Sequence, residues 1–350
     1  MEKRPRWMIY GSTGYTGQLI AQEAVQRGLE PMLSGRRAAA VEALAARLGR
    51  PYRVFAVDAP GLEDQVRGFE LVLNCAGPFS ATAVPLVEAC IRAGVHYLDI
   101  TGEIDVIEAA AARGSTARQA GVMLVPAVGF DVVPSDCLAK SLADKLPGAT
   151  HLWLAFTDTS GVSPGTAKTV LENVPRGGCV RLDGQLVHVP PAWKMREIPF
   201  RSGSRWAMTV PWGDVASAYY STGIKNIETY LAVPLKQINR VRRWGWAASA
   251  LKVGFVRTLA VRYIERHVQG PSAAELERGR ASFWGQVSDG GSRRVSATLE
   301  TPSGYELTKL TAVACAERVL AGQVRPGFAT PSQAFGKDLI LTIPRTELTF

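Results

Sequence analysis

The stretch that decides the fold is WMIYGSTGYTGQLIAQEAVQRG, residues 7–28. Four apolar residues, Trp7–Tyr10, are followed by glycines at every third position, Gly11, Gly14 and Gly17, and then by a sequence with helical periodicity. This order predicts a buried strand, a tight turn and a helix. The backbone N–H groups of such a turn and the positive end of the helix face an anion.

The G-x-x-G-x-x-G spacing differs from the G-x-G-x-x-G of the standard dinucleotide fingerprint. Gly11 suits the turn off the strand, Gly14 lets a pyrophosphate approach the backbone, and Gly17 lets the helix pack closely on the sheet. A simple glycine turn has the same spacing, but the strand before it and the helix after it favour a dinucleotide site. The candidate cofactor contacts in this loop are Gly11, Ser12, Thr13, Gly14, Tyr15, Thr16 and Gly17.

The end of the second predicted strand indicates which nicotinamide cofactor is used. An acidic residue there binds a ribose 2′-hydroxyl, whereas an arginine accommodates a 2′-phosphate. This chain has Ser34-Gly35-Arg36-Arg37, followed by an alanine-rich helix over 38–48. Two guanidinium groups in place of a carboxylate predict NADP, with Ser34, Arg36 and Arg37 as contacts; the alternative is a pair of solvated arginines.

Strands and helices continue to alternate, which predicts a doubly wound parallel sheet of the Rossmann type. Helices are expected at 60–67, 81–93 and 104–119, and further strands in RVFAVDA, FELVLNCAGPF, HYLDITGE and GVMLVPAVGF. Ligands bind beyond the carboxyl ends of such strands. The cofactor candidates at these ends are Asp58, Cys75, Ala76, Gly77 and Pro78, the last four in a turn expected near the nicotinamide.

Composition narrows the class of protein. The 350 residues are 47% hydrophobic and 20% charged, with a net charge of +9 and five cysteines that form no C-x-x-C pair. This composition predicts a globular chain with neither a disulfide framework nor a zinc site. Four histidines without ligand spacing predict no metal. The basic charge comes without a nucleic-acid-binding signature, so no nucleic acid is expected. The first strand begins near the initiator Met, which predicts a cytoplasmic protein without a signal peptide.

Several motifs together resemble the saccharopine dehydrogenase-like NADP-binding superfamily, and within it the trans-acting enoyl reductases and related oxidoreductases. In the first half these are GSTGYTGQLIA, LSGRR, NCAGPFS, AGVHYLDITGE and VGFDVVPSDCLA. In the second half SGVSPGTAKTVLE, TPSGYELTKLTAVACAERVLAG and PGFATPSQAFG point more faintly to the enoyl reductases. Pro164, where those enzymes usually have glycine, and the run Pro302–Tyr305, where they usually have Asp-Pro-Gly-Tyr, depart from the pattern.

The resemblance implies a cofactor domain into which a second domain is inserted. We therefore expect a Rossmann domain at 1–140, to which 323–350 returns, and an α+β substrate domain at 141–322. Segments such as THLWLAFTD, VRLDGQLVHVP and RVSATLETPSG support a mostly antiparallel sheet in the second domain. Helices are expected at 165–174 and 308–321, the first capped by Ser163.

Candidate catalytic residues are fewer, because a nicotinamide enzyme needs only to position a substrate, polarise it and supply a proton. They are Asp131 for orienting the substrate, Tyr305 as a proton donor or oxyanion partner, and Tyr97. A carboxylate that only holds its own loop is an equally good interpretation of Asp131. The candidate substrate contacts are Asp99, Gly102, Glu103, Gly129, Phe130 and Ser163.

Residues 233–267 combine tryptophans and leucines with many arginines. Lys252 and Arg257 interrupt the apolar run, which disfavours a membrane span. Three interpretations remain for 240–267: a helix packed on the second domain, peripheral contact with an anionic membrane, or docking of an acidic acyl carrier protein. A homodimer is also possible on this sequence.

These observations predict an NADPH-dependent reductase, with a C=C bond of an enoyl or hydrophobic acyl substrate, thioester or lipid, as the target. Such a protein would belong to lipid or polyketide biosynthesis. The alternatives are a C=N reductase of the saccharopine or opine type and a catalytically silent NADP-binding, membrane-associated protein.

Overall fold

The fold was analysed on a computed structural model, which describes residues 6–159, 171, 177–244, 258, 261–263, 266–268 and 270–350. The chain forms two compact units, each built from two segments of sequence. The first unit comprises Met1–Val133 and Leu307–Gly336, and the second comprises Pro134–Glu306 and Lys337–Phe350. Both units therefore need the C-terminal part of the chain.

The first unit contains a parallel sheet. Its strands are β1 (Trp7–Tyr10), β2 (Met32–Gly35), β3 (Tyr52–Val54), β4 (Leu71–Asn74), β5 (His96–Asp99), β6 (Met123–Val125) and β15 (Gly327–Phe328). Their order across the sheet is β15-β6-β5-β4-β1-β2-β3, and every described pairing is parallel. Chain direction across the sheet reverses between β1 and β4, as in a Rossmann fold. The predicted doubly wound sheet is confirmed.

Helices connect these strands because each crossover must return the chain to the same edge of the sheet. They are α1 (Tyr15–Gln26), α2 (Ala38–Leu48), α3 (Leu62–Val66), α4 (Phe79–Ala93), α5 (Ile104–Ala112), α6 (Gly114–Gln119) and α11 (Gly304–Leu320), the last of which begins in the second unit. Strand residues that are almost continuously apolar, such as Leu71–Leu73, are fully buried. This burial matches the expectation for a sheet covered on both faces.

Two local predictions differ from the structure. The helix predicted over 104–119 is two helices, α5 and α6, which meet at Arg113. The guanidinium of Arg113 bonds both Ala109 O and the Glu88 carboxylate, and so fixes the junction between them. The third strand was predicted to run to Asp58, but β3 ends at Val54 and Asp58 lies in the following turn.

The second unit contains a larger, curled sheet. Its strands are β7 (His151–Asp158), β8 (Gly178–Leu182), β9 (Gln185–Val189), β10 (Met195–Phe200), β11 (Gly203–Thr209), β12 (Asn226–Ala232), β13 (Arg280–Ser288), β14 (Arg294–Pro302) and β16 (Glu347–Thr349). The main order is β10-β11-β12-β7-β13-β14-β16, and β8 pairs with β12 and β9. Among the described pairings of this second sheet only β7 with β12 is parallel, so the predicted mostly antiparallel sheet is confirmed.

One face of this sheet is covered by helix α7 (Val133–Lys145). A Cβ atom placed on Gly285 of β13 would lie 2.7 Å from Leu142 and 3.1 Å from Leu138, so helix and strand approach closely at this glycine. The remaining described elements of the second unit are α8 (Asp214–Thr222), α9 (Leu235–Trp244), α10 (Ala273–Arg278) and a short 3₁₀-helix (Lys337–Thr342); α12 (Pro331–Phe335) belongs to the first unit.

The boundaries of the two units differ from those expected from the sequence. The expected change at residue 140 falls inside α7, which the structure assigns almost whole to the second unit. The expected return of 323–350 to the first unit holds only as far as Gly336. The remainder joins the second unit because β16 pairs with β14, placing Leu348 opposite Leu299.

Candidate functional site

The candidate site begins where β1 and β4 end side by side. Cys75 N donates to Tyr10 O at 2.7 Å, which ties the turn after β4 to the end of β1. Gly11 follows with a φ of +79°, and a Cβ atom there would lie 2.6 Å from Ala76 N. The two turns are thus in contact at the point where the strand order reverses. This is the position at which doubly wound sheets bind ligands.

Helix α1 starts immediately behind this turn. No side chain caps its N-terminus at Gly14. A Cβ atom on Gly17 would lie only 2.3 Å from Gly11 O, so the turn rests directly on the first turn of the helix. Tyr15 and Thr16 lie in that first turn. The arrangement points the positive end of a 12-residue helix at the loop, as a phosphate site requires.

Ser12 and Ser34 lie beneath the loop rather than on it, because both are fully buried. The backbone N–H groups of Gly11 and Ser12 donate to Ser34 O at 2.9 and 3.0 Å, and Ser12 Oγ donates to the same oxygen at 3.1 Å. Ser34 Oγ is engaged with Arg53 O at 2.7 Å. These two predicted cofactor contacts therefore hold the loop in place through hydrogen bonds to the backbone.

The two arginines after β2 are exposed at the edge of this loop. Arg37 Nη2 donates to Thr13 Oγ1 at 3.4 Å, which places that guanidinium beside the glycine turn. Burial raises the pKa of Tyr10, and the positive charge of Arg36 opposes this rise. The end of β2 therefore has two cations and no acidic residue. It is suited to a 2′-phosphate.

The turn after β4, residues Cys75–Pro78, is shaped by Asn74. The Asn74 side chain accepts from Ala76 N at 2.9 Å and donates to Thr82 Oγ1 at 3.2 Å. Cys75 is buried, and burial raises the pKa of its thiol, which keeps it protonated. Pro78 directly precedes α4, and Gly77 leaves the turn without a side chain on its open side.

A buried hydrogen-bond network links the ends of β4 and β5. Tyr97 OH donates to Asp99 Oδ2 at 2.9 Å and accepts from Asn74 Nδ2 at 3.1 Å, and all three residues are fully buried. Asp99 Oδ1 accepts from Thr101 N and Ala127 N at 3.0 and 2.8 Å. Burial raises the pKa of Tyr97 well above its usual range and that of Asp99 to about 6. Both predicted site residues are therefore fully buried, although Asp99 is the last residue of β5.

Glu103 caps helix α4. Its two carboxylate oxygens accept from Phe79 N at 3.0 Å and from Ser80 N at 2.9 Å. A negative charge at a helix N-terminus is stabilising. Glu103 thus has a structural role at the end of the turn that contains Gly77 and Pro78, in addition to its predicted place among the substrate contacts.

Asp131 differs from the other carboxylates at this edge, because no residue that the structure describes hydrogen-bonds it. A Cβ atom on Gly102 would lie 2.3 Å from Asp131 Oδ2 and 3.0 Å from Asp131 Cβ, so the carboxylate lies flat against that glycine. Desolvation, reinforced by the charge of Glu103, raises the pKa of Asp131 to about 7, although the residue remains partly exposed. The group can therefore donate or accept a proton near neutral pH.

The loop that contains Asp131 is held by helix α11. Phe130 N donates to Thr308 Oγ1 at 3.0 Å, and Thr311 Oγ1 donates to Val128 O at 2.9 Å. A Cβ atom on Gly129 would lie 3.0 Å from Thr308 Cγ2. Neither threonine was predicted as a site residue, because 178 residues separate Thr308 from its partner Phe130. The only available signal was their spacing, which puts them on one face of a helix.

Tyr305, Ser163 and the segment 240–267 are the remaining predictions. Tyr305 is the second residue of α11 and belongs to the second unit, whereas Tyr97, Asp99 and Asp131 belong to the first. Ser163, the helix predicted at 165–174 and most of 240–267 lie outside the described residues. Among the residues that are described, no helix is long and apolar enough to cross a membrane, and none of them form a group of three or more potential metal ligands.

Comparison with known proteins identifies the first unit. Residues 7–125 match the family model described as the saccharopine dehydrogenase NADP binding domain. The predicted NADP cofactor is thereby confirmed for the domain, and the resemblance noted in the sequence is confirmed with it. The glycine turn, the arginines after β2 and the turn after β4 all lie within the matched region.

Individual relatives match different lengths of the chain. A human saccharopine dehydrogenase-like oxidoreductase is 29% identical over 42% of this chain, and the matched part spans only 39% of the human protein. A Mycobacterium tuberculosis protein provisionally named a trans-acting enoyl reductase is 26% identical over 96% of this chain and 94% of its own. The solved structure of a saccharopine dehydrogenase from Saccharomyces cerevisiae has the same fold, with a TM-score of 0.66 over 98% of this chain and 99% of its own, at 11% identity.

Proposed function

We propose that the protein is an NADPH-dependent reductase of a C=C bond in an enoyl or hydrophobic acyl substrate. The observation that carries the proposal is the NADP-binding domain together with Asp131, a carboxyl group with a pKa of about 7 and no hydrogen-bond partner among the described residues. The alignment along 96% of the chain with a protein provisionally named an enoyl reductase supports the choice of bond.

The residues of the first unit fit the cofactor. The turn from Gly11 to Gly17 leaves no room for a side chain at its two outer glycines and directs the N-terminus of α1 at the pyrophosphate. Arg36 and Arg37 would hold the 2′-phosphate, and Cys75–Pro78 would lie along the nicotinamide half. When bound, NADPH supplies the hydride.

Asp131 is proposed to supply the proton. Reduction of an enoyl group adds a hydride to the β-carbon and a proton to the α-carbon, and a carboxyl group that is partly protonated at neutral pH can donate that proton. Asp99, Glu103 and Asp131 all lie at or after the carboxyl ends of β5 and β6. Among the described residues, hydrogen bonds to Asp99 and Glu103 stabilise their charged forms, and none is made to Asp131. Tyr305 is the second candidate for the proton donor or for an oxyanion contact.

A single-turnover assay of NADPH oxidation tests the proposal. Two substrates are offered in parallel: crotonyl thioester, and lysine with 2-oxoglutarate. We expect oxidation with the thioester alone, and we expect Asp131→Asn to slow it by about 10²-fold or more while NADPH still binds. Tyr305→Phe in the same assay distinguishes Tyr305 from Asp131 as the proton donor.

Each other outcome has a defined meaning. Oxidation only with lysine and 2-oxoglutarate would replace the proposal by C=N reduction of the saccharopine type. Long-chain enoyl thioesters are tested as further substrates. Tight NADPH binding without NADPH oxidation by any of these substrates would favour a catalytically silent NADP-binding protein. Flotation with anionic liposomes at low salt tests whether the protein contacts a membrane surface. Loss of NADPH binding itself would contradict the whole assignment.

A further inference from the structure

A cavity of about 420 Å³ lies in the second unit, on the face of the sheet opposite helix α7. Register places Trp153 beside Glu228 and Gln286, and Ala155 beside Tyr230 and Trp284, so all of these residues share one face. The same face continues through β11 to β10, whose first residues close the cavity. All of its lining residues belong to the second unit: Trp153, Lys194, Met195, Arg196, Glu228, Tyr230, Gln286 and Arg294.

The single carboxylate in the cavity is already neutralised. Lys194 Nζ lies 2.5 Å from Glu228 Oε1, and Tyr230 OH donates to Glu228 Oε2. Glu228 is 7% exposed, so these contacts take it out of reach of a ligand cation. The Lys194 ammonium also lies 4.2 Å from the ring centre of Trp193. The acidic charge of the cavity therefore cancels against Lys194.

Arg196 is held rigidly by aromatic side chains. Its guanidinium carbon lies 5.3 Å from the ring centre of Trp153 and 4.9 Å from that of Trp284. One N–H group donates to Gln286 Oε1 at 3.0 Å. No carboxylate forms an ion pair with Arg196 among the residues that the structure describes. Cation–π contacts orient the guanidinium but leave its charge available to an anion.

Arg294 adds a second unpaired cation at the cavity. It is exposed, and no described residue hydrogen-bonds it. Burial lowers the pKa of Arg196 and the like charge of Arg294 acts in the same direction, whereas Tyr230 and Glu228 oppose this shift. Two guanidinium groups that repel each other across a cavity are stabilised when an anion lies between them. The cavity has a net charge of +2 once Lys194 and Glu228 cancel.

We propose that this cavity binds a carboxylate or phosphate group attached to a planar or apolar body, with Arg196 and Arg294 on the anion and Trp153 and Trp284 along the body. The volume lies within the range of small-molecule sites. All of the cavity's lining residues belong to the second unit, whereas the predicted NADP contacts belong to the first. The site also goes beyond the proposed reduction, which uses residues of the first unit and Tyr305.

Isothermal titration calorimetry on the full chain, with NADP at saturation to fill the cofactor site, tests this proposal. Benzoate and phenyl phosphate are the two probes, since they share a ring and differ in the anion. We expect one of them to bind at one site per chain with a Kd at or below about 1 mM, more weakly at high salt. The tighter probe identifies the anion.

Variants assign the binding to the cavity. Arg294→Gln should weaken binding about tenfold or more, as expected for a lost charge-assisted hydrogen bond. The matched control is Arg205→Gln, because Arg205 is an exposed arginine on β11 that does not line the cavity. Trp153→Leu should weaken binding by removing the ring. Binding of neither probe, or equal binding by Arg294→Gln and Arg205→Gln, would overturn the proposal.

Discussion

At the scale of single residues, the carboxyl groups of the first unit differ in whether they accept hydrogen bonds from the protein. Asp99 accepts hydrogen bonds from Tyr97 and from two backbone N–H groups, and Glu103 accepts two from the start of α4. Asp131 has none from the described residues. The same residue type therefore provides a structural anchor at one strand end and, after the next strand, a carboxyl group with a raised pKa.

Asp131 should make the folded state less stable as pH rises. Its pKa is about 7 in the folded chain and 3.8 as the ordinary value, so the folded state binds more protons between these limits. The free energy of unfolding should therefore fall with pH over this range and level off above about pH 7. Asp131→Asn should remove this slope, measured by urea unfolding at several pH values.

Asp144→Asn is the matched control. Hydrogen bonds from Lys140 and Lys337 lower the pKa of Asp144, so its stabilising contribution is lost only as pH falls through the acidic range. The difference between Asp144→Asn and the wild type should stay constant from about pH 5 to 8. If Asp131→Asn shows the same constant difference, the carboxyl group of Asp131 is not protonated near neutral pH.

Arg36 should decide between the two nicotinamide cofactors. Arg36→Glu replaces a cation with a carboxylate at the end of β2, where a 2′-phosphate is predicted. We expect NADPH affinity to fall at least about tenfold, with NADH affinity unchanged or higher. Arg47→Glu makes the same charge change near the end of α2, where Arg47 donates to Gln18. Equal ratios of NADPH to NADH affinity in the two variants would contradict the assignment.

At the scale of elements, the start of α1 shows how two glycines of one loop serve different purposes. A Cβ atom on Gly17 would overlap Gly11 O at 2.3 Å and touch Ser12 Cα at 3.0 Å. Gly14 has a φ of −70°, and the atom nearest to a Cβ atom placed on it would be Gly11 O at 3.4 Å. Packing within the protein requires glycine at position 17. At position 14 the protein itself has room for a side chain, and only the approach of a ligand would require glycine.

The two alanine variants should therefore behave differently. Gly17→Ala should lower the free energy of unfolding by about 1–3 kcal/mol, because backbone atoms must move. Gly14→Ala should change stability by less than about 1 kcal/mol and weaken NADPH binding at least about tenfold, because its methyl group occupies the predicted path of the pyrophosphate. Urea unfolding and fluorescence titration of NADPH measure the two effects. Similar losses of stability in both variants would show that the loop has no separate ligand-facing glycine.

Element boundaries show what the sequence can and cannot predict. Helix α2 matches the predicted 38–48, because alanine-rich sequence has high helix propensity and Gly49 ends it with a φ of 62°. The single helix predicted over 104–119 missed the break at Arg113, although Gly114 and Ser115 follow it in the sequence. At this junction Arg113 also contacts Glu88 on another helix, a contact that the local sequence does not reveal.

At the scale of the whole molecule, the sequence predicted two domains and the class of each sheet, because hydrophobic runs and alternation depend on neighbouring residues. It did not predict which distant segments meet. The pairing of β16 with β14 joins residues that are far apart in the chain. So does the hydrogen bond from Phe130 N to Thr308 Oγ1. The cavity that contains Arg196 and Arg294 is lined by residues of β7, β10, β12, β13 and β14, and no spacing in the sequence predicts it.

Cofactor binding should protect three separated segments together. If the NADP site consists of the turn after β1, the end of β2 and the turn after β4, hydrogen exchange should slow at 11–17, 34–37 and 75–78 on addition of NADP. An NADP concentration of 100 times Kd stabilises the folded state by about 2.7 kcal/mol. Amides that exchange only from the cofactor-free protein should therefore exchange about a hundredfold more slowly. Arg36→Glu at the same NADP concentration should lose most of this protection. Protection confined to one of the three segments would contradict the assembled site.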